Sequence, residues 1–153
     1  MPNLFNLCTS SANLTRTHGL WMVKVKGVIT AKDIRKFIVD ARSSINFGNF
    51  LVTDWREAVC AFTNAELREP PCETFVDQGG GGGLKKYHFR FGASLGLPDQ
   101  LPLLHEMANF HVQVQGNVRR VFTDHSECMK WSTKVSNFLD KEDQDNRQAK
   151  LFI

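Results

Sequence analysis

The stretch Asp54-Trp55-Arg56-Glu57-Ala58-Val59, followed by Cys60-Ala61-Phe62-Thr63, is where this chain comes nearest to a recognisable working site. A charged cluster there directly follows an apolar run, Phe50–Trp55, that reads as a buried strand. In open α/β sheets, ligands and partners gather at the carboxyl ends of strands. Thr63 then opens a helix, where free backbone amides favour an anion or a phosphate. Asp54, Trp55, Arg56, Thr63 and Asn64 are therefore the candidate partner-binding or regulatory residues. The same residues also fit a plainer role, with Thr63 as a helix cap and Asp54 with Arg56 as a structural ion pair.

Other chemistry is poorly supported. The run Gly79–Gly83 invites a phosphate-loop reading, but that motif needs Lys and then Ser or Thr directly after its last glycine. Here Leu84 follows, then Lys85 and Lys86. A flexible surface loop is the expectation, because glycine loses the most backbone entropy on ordering. The histidines are His18, His88, His105, His111 and His125; His105 and His111 are six apart and point to different sides of one helix. His111 falls within that helix's apolar arc, where it reads as a core or interface residue and at most a pH-sensitive contact. Cys8, Cys60, Cys72 and Cys128 are too scattered for a zinc knuckle or a redox pair. Cys60 and Cys128 sit in apolar patterns and read as small buried hydrophobes. No Gly-x-Ser-x-Gly nucleophile turn occurs. The expectation is a protein that is not an enzyme, with no cofactor and no metal.

The elements that would carry the candidate corner follow from periodicity. Residues 1–19 are polar, with a short edge strand around Leu4–Cys8. Leu20–Lys26 alternates with period two and ends at Gly27. Thr30 and Asp33 form a near capping box, and Ile34, Phe37, Ile38 and Ala41 make one helical stripe. After the Phe50–Trp55 strand, Arg56-Glu57 reads as a polar break and Val59–Phe62 as a resumed apolar run. Thr63-Asn64-Ala65-Glu66 is a full capping box that predicts a short helix from Ala65. Tyr87–Phe91 reads as a strand, Gly92–Pro98 as loop, and Leu101–Gln115 as the longest helix. Val118–Phe122 is a strand, and Asp124 caps a helix through Leu139. This order predicts an α/β domain over residues 1–139, with a mixed, largely parallel sheet of about 4–5 strands and about four helices packed on it. Residues 140–153 read as a polar, flexible tail.

Composition narrows the partners. The 153 residues are 42% hydrophobic and 23% charged, ordinary values for a globular domain, and the formal net charge is +3. Lys24 with Lys26 and Lys85 with Lys86 read as solvated pairs, so nucleic acid is not an expected partner. No stretch approaches a membrane span and no signal peptide opens the chain, so a reducing cytoplasm is expected. Asn13-Leu14-Thr15 matches a glycosylation acceptor that carries no meaning there.

Trp21–Gly27, Val28-Ile29-Thr30-Ala31 leading into a helix, and Phe50-Leu51-Val52-Thr53-Asp54-Trp55-Arg56-Glu57-Ala58 together resemble the bacterial STAS-type domain of sulfate transporters and anti-sigma-factor antagonists. Val118-Arg119-Arg120-Val121-Phe122-Thr123-Asp124 before a helix is similar to the end of such domains. The Asp-Trp-Arg-x-Ala form looks closest to stand-alone SpoIIAA-like members, and the resemblance spans roughly residues 18–139. It implies a mixed sheet with helices, and a regulatory protein whose partner is an anti-sigma-factor-like kinase. Such antagonists carry the phosphorylated serine in an Asp-Ser-Ser-Gly turn at a helix start. The matching Phe62-Thr63-Asn64-Ala65 lacks the serines and the glycine and leaves Thr63 as the hydroxyl. A different class is a carrier for a small apolar ligand or lipid. The helix Leu101–Gln115 presents apolar residues over roughly 200° of its surface, with Leu103, Met107, Phe110, His111 and Val114 as the ligand face. The glycine loop would be its lid. A homodimer through that same helix is a third reading.

Overall fold

A computed structural model describes residues 3–17, 20–44, 50–68, 91–115 and 118–151. Six strands form one sheet in the order of the chain: β1 (Asn3–Asn6), β2 (Ser10–Thr17), β3 (Leu20–Ile29), β4 (Phe50–Cys60), β5 (Phe91–Leu95) and β6 (Val118–Phe122). β1, β2 and β3 pair antiparallel, and β3 to β6 pair parallel. Among the described residues there are four α-helices: α1 (Ala31–Ser44), α2 (Asn64–Arg68), α3 (Leu101–Gln115) and α4 (His125–Leu151). A single 3-10 turn, Pro98–Gln100, precedes α3. The mixed, largely parallel α/β architecture is the expected one, with one strand more than predicted.

That additional strand is β2. Its sequence is Ser-, Asn- and Thr-rich and looks like loop, yet Ala12 and Leu14 point inward and are fully covered. Two apolar residues at period two suffice when the neighbouring strand supplies Val25 and Val23 opposite them.

The sheet buries both faces. On one, Leu14, Val23, Val25 and Leu51 pack beneath Ile34 and Phe37 of α1 and Leu103, Leu104 and Met107 of α3. On the other, Leu20, Phe50, Val52, Ala93, Leu95 and Phe122 pack beneath Cys128, Trp131 and Val135 of α4. Trp131 lies between Phe50 and Phe122 in tilted ring contacts, with centroids 5.7 and 5.6 Å away.

Several boundaries differ from the sequence reading. β3 does not stop at Gly27 but continues to Ile29; Gly27 adopts φ +91°, a left-handed conformation that glycine takes without penalty. β4 runs unbroken through Arg56-Glu57, because a bulge absorbs the polar pair: Lys24 faces Asp54, but Lys26 faces Glu57. β5 is described over Phe91–Leu95, so Gly92–Leu95, read as loop, is strand; residues 87–90 of the expected Tyr87–Phe91 strand and the Gly79–Gly83 run lie outside the described residues. Gly92 is required in β5, since an added Cβ would sit 2.9 Å from the Leu51 carbonyl and against the Arg119 guanidinium. α4 begins after Asp124, whose Oδ1 accepts from Ser126 N at 2.8 Å. It continues as helix to Leu151 through the polar stretch read as a flexible tail. That stretch lacks Gly and Pro, and its Lys, Glu, Gln, Arg and Ala residues favour helix enough to offset Asp140, Asp143, Asp145 and Asn146.

Candidate functional site

The bulge in β4 sets the geometry of the candidate corner. Before it, Leu51 and Trp55 face α1 and α3; after it, Ala58 does. Asp54 is left on the α4 side, 3% exposed. Arg56 folds back over it: Nε donates to Oδ1 at 3.0 Å, Nη2 donates to Oδ2 at 2.9 Å, and the Arg56 backbone N–H donates to Oδ1 at 3.1 Å. Burial pushes the Asp54 carboxyl up, but the hydrogen bonds and charge of Arg56 outweigh it and hold the group below the usual carboxylate range. Past the bulge, β4 has outrun β5, and its bare edge is closed by a side chain. Gln100 Nε2 donates to the carbonyls of Trp55 and Ala58, both at 2.9 Å, while its Oε1 accepts from Leu97 N at 2.8 Å.

The five residues of the corner separate into an inner and an outer set. Trp55 is buried, its ring centroid 6.0 Å from that of Phe62, and its Nε1 has no partner. Asn64 is buried too, with Nδ2 unpartnered. Thr63 is exposed and forms the expected reciprocal cap: its Oγ1 accepts from Glu66 N at 3.1 Å, and Glu66 Oε1 accepts from Thr63 N at 3.0 Å and from Thr63 Oγ1 at 3.2 Å. The helix so capped begins at Asn64, one residue earlier than predicted. Asp54, Trp55 and Asn64, three of the candidate partner-binding residues, are thus buried in this chain. The charge of Asp54 is spent on Arg56, and Trp55 and Asn64 are enclosed by the hydrophobic packing of β4 and α2. Thr63 and the half-exposed Arg56 remain on the surface.

The surface feature that sequence reasoning missed lies at the same end of the sheet. Val28 of β3 faces Val59 of β4 in register, and the two are 45% and 62% exposed. They point to the side away from α1 and α3, beyond the reach of α4's packing. Lys24 and Glu57 form an exposed ion pair beside them at 2.6 Å, and Lys26, Ala61 and Thr63 are exposed nearby. The missing signal was the continuation of β3 past Gly27.

A second residue invisible to periodicity is Asp33. It is fully buried, and its carboxylate accepts from Cys8 N (2.6 Å), Thr9 N (3.0 Å), Thr9 Oγ1 (2.6 Å), Thr30 N (2.9 Å) and Thr30 Oγ1 (2.9 Å). Burial works to raise this carboxyl, and the donors of Thr9 and Thr30 hold it far below the usual range instead. The capping box at Thr30 was legible; the β1–β2 turn seated on the same carboxylate was not.

The thiols are placed for packing. Burial, helped by the Asp99 carboxylate, pushes Cys60 up to about 11; burial pushes Cys128 up to about 11 despite its contact with Ser132. Both stay protonated near neutral pH and are poor nucleophiles. Cys8 is exposed in the β1–β2 turn, and Cys72, His18 and His88 lie outside the described residues. On α3, Leu104 and Ala108 are buried, and half-buried Leu103 and Met107 pack on the first core. Leu103 and Met107 are the described part of the candidate ligand face, and each is only half-buried. Phe110, His111 and Val114 lie on α3, with side chains outside the described residues. Among the described residues, no three His, Cys, Asp or Glu side chains come together, and no helix is long and apolar enough to cross a membrane.

No family model and no curated protein matches the chain. A solved structure does: an uncharacterised protein of the DUF3478 family from Shewanella loihica PV-4, described as having a SpoIIAA-like fold. The fold of this chain is SpoIIAA-like. The two share 14% sequence identity with a TM-score of 0.52, over 84% of this chain and 97% of that one. The likeness is one of fold, and it agrees with the mixed sheet with helices that the Trp21–Ala58 motifs implied.

Proposed function

We propose that this chain is a non-enzymatic protein-interaction and regulatory module resembling the anti-sigma-factor antagonists, acting in the cytoplasm through the carboxyl ends of β3 and β4. The observation that carries this reading is the Val28–Val59 pair, two aliphatic side chains exposed side by side among the described residues, at the end of a sheet whose centre is packed on both faces. Each is already partly covered, so burying what remains would contribute about half of the roughly 1.5–3 kcal/mol of a full burial, which a partner recovers on docking. Lys24, Lys26, Glu57 and Thr63 supply the polar rim usual around such a patch. Binding without catalysis is supported by what the reactive groups are doing: the interior carboxylates hold structural hydrogen bonds, and the two inner thiols are protonated.

The regulatory part rests on Thr63. Its exposed hydroxyl is accessible to a partner kinase of the anti-sigma-factor type. A phosphate there adds about −1.5 to −2 charges. Glu66 Oε1 stands 3.2 Å from that hydroxyl, so the phosphate breaks the cap of α2 by repulsion and changes the docking surface.

Affinity capture from the native host, comparing the parent chain with a Val28→Asp/Val59→Asp variant of unchanged circular dichroism, tests the reading. A specific partner held by the parent and lost by the variant is expected, with phosphate mapped to Thr63. Equal capture by both removes the docking surface, and an unmodified Thr63 with unchanged binding by Thr63→Ala removes the switch. A small apolar molecule held tightly in native mass spectrometry would favour the carrier over the interaction module.

A further inference from the structure

Among the described residues the sheet ends at β1. β1 is the terminal strand there, and one side of its backbone has no neighbouring strand among them. The hairpin determines which groups face outward. Leu7 N–H donates to the Ser10 carbonyl at 2.9 Å, and Phe5 lies opposite Ala12. In an antiparallel strand, alternate residues turn their backbone groups to the same side. Phe5 and Leu7 therefore bond inward to β2, and Leu4 and Asn6 face out. Lys36 of α1 agrees with this, since its Nζ reaches the outward Asn6 carbonyl at 3.2 Å. That contact uses one lone pair of the Asn6 carbonyl and puts an ammonium group on its outward side, where a pairing strand would lie. Leu4 keeps an outward N–H and C=O, and its side chain is 63% exposed.

We propose that β1 pairs antiparallel with β1 of a second copy of this chain, about a twofold axis centred on Leu4. The two sheets then become one. Such an axis keeps like faces together and allows only registers that oppose residues of the same alternation. Centred on Leu4, each Leu4 N–H donates to the Leu4 carbonyl of the second copy. Registers that place Asn6 against Asn6 or Leu4 need the Asn6 carbonyl, which Lys36 already holds. In the Leu4 register the two exposed leucines also lie side by side and cover each other. Charge permits the symmetry: β1 and the turn after it carry no charged side chain, so two copies of β1 meet without opposing charged side chains. Lys36 is itself paired with Asp40 at 2.7 Å. Edge strands that stay single are usually guarded by charge, proline or a bulge; β1 itself carries neither charge nor proline. Four residues of edge make a weak, concentration-dependent dimer instead of a permanent one.

Sedimentation velocity from low-micromolar to near-millimolar concentration tests this. The parent chain should pass from monomer to dimer. Leu4→Lys, which opposes two ammonium groups on the axis at an exposed position, should weaken the dimer at least about tenfold with unchanged circular dichroism. In a Cys8→Ser background, Leu4→Cys should oxidise to a covalent dimer, because facing hydrogen-bonded residues have Cα atoms about 5.5 Å apart, within the reach of a disulfide. Asn6→Cys should not, since its counterpart lies about 14 Å away in the same register. A parent chain that stays monomeric throughout, or equal cross-linking from both positions, overturns the proposal.

Discussion

Replacing Asp33 by alanine takes the acceptor away from donors on two separate segments at once. Cys8 N, Thr9 N and Thr9 Oγ1 come from the β1–β2 turn, and Thr30 N and Oγ1 from the start of α1. Hydrogen bonds to a charged group contribute about 1.5–3 kcal/mol each, but they share one carboxylate, and water can enter beside the exposed Cys8. The loss should therefore be about 3–5 kcal/mol, which for a domain of this size lowers Tm by roughly 10 °C. Urea denaturation followed by tryptophan fluorescence measures it. The pH dependence separates this account from simple cavity formation. The Asp33 carboxyl titrates far below its usual range when folded and near about 3.9 when unfolded. Its stabilisation is fully present above about pH 4 and drains away as pH falls below that, because only the unfolded chain takes up the proton. The gap between the parent and Asp33→Ala should accordingly narrow on acidification. A loss under about 1 kcal/mol, or a gap that stays constant from pH 7 to well below 4, would refute the reasoning.

Other consequences are as specific. Gln100→Leu leaves the carbonyls of Trp55 and Ala58 without a donor and should cost about 1–3 kcal/mol in urea unfolding. Arg56→Met strands the buried Asp54 carboxylate; the variant should lose about 2–3 kcal/mol at pH 7, less than for a fully buried pair because Arg56 is half-exposed. Its Asp54 carboxyl then moves up, so the penalty should shrink at low pH as that group takes a proton. Alkylation of the folded protein near pH 7.5 should label Cys8 and spare Cys60 and Cys128, with peptide mass spectrometry as the readout; labelling of Cys128 at the rate of Cys8 would contradict its burial.

What could be read from the sequence depended on how local the cause was. The caps at Thr30 and Thr63 were legible because a spacing of three residues fixes both partners of a capping box. α3, β6 and the start of α4 were legible from periodicity. β2 and β5 were not, because Ser, Asn, Gly and Ala carry little strand preference, and their place is dictated by neighbours: Val23 and Val25 for one, Arg119 and Leu51 for the other. Gln100 serves a strand more than forty residues earlier in the chain, a relation that no local pattern encodes. The candidate corner was found in sequence, but its inner and outer members were not told apart. A bulge of a single residue decides that Asp54 points under α4 while Glu57 stays outside, and the alternation of charged and apolar letters through Arg56-Glu57 does not reveal it.

Hydrogen–deuterium exchange on this chain with and without its captured partner tests the central claim most directly. Slowed exchange confined to residues 26–29 and 57–63 is the expected result. Protection centred on α3 instead, with the ends of β3 and β4 exchanging as in the free protein, would contradict docking at Val28 and Val59.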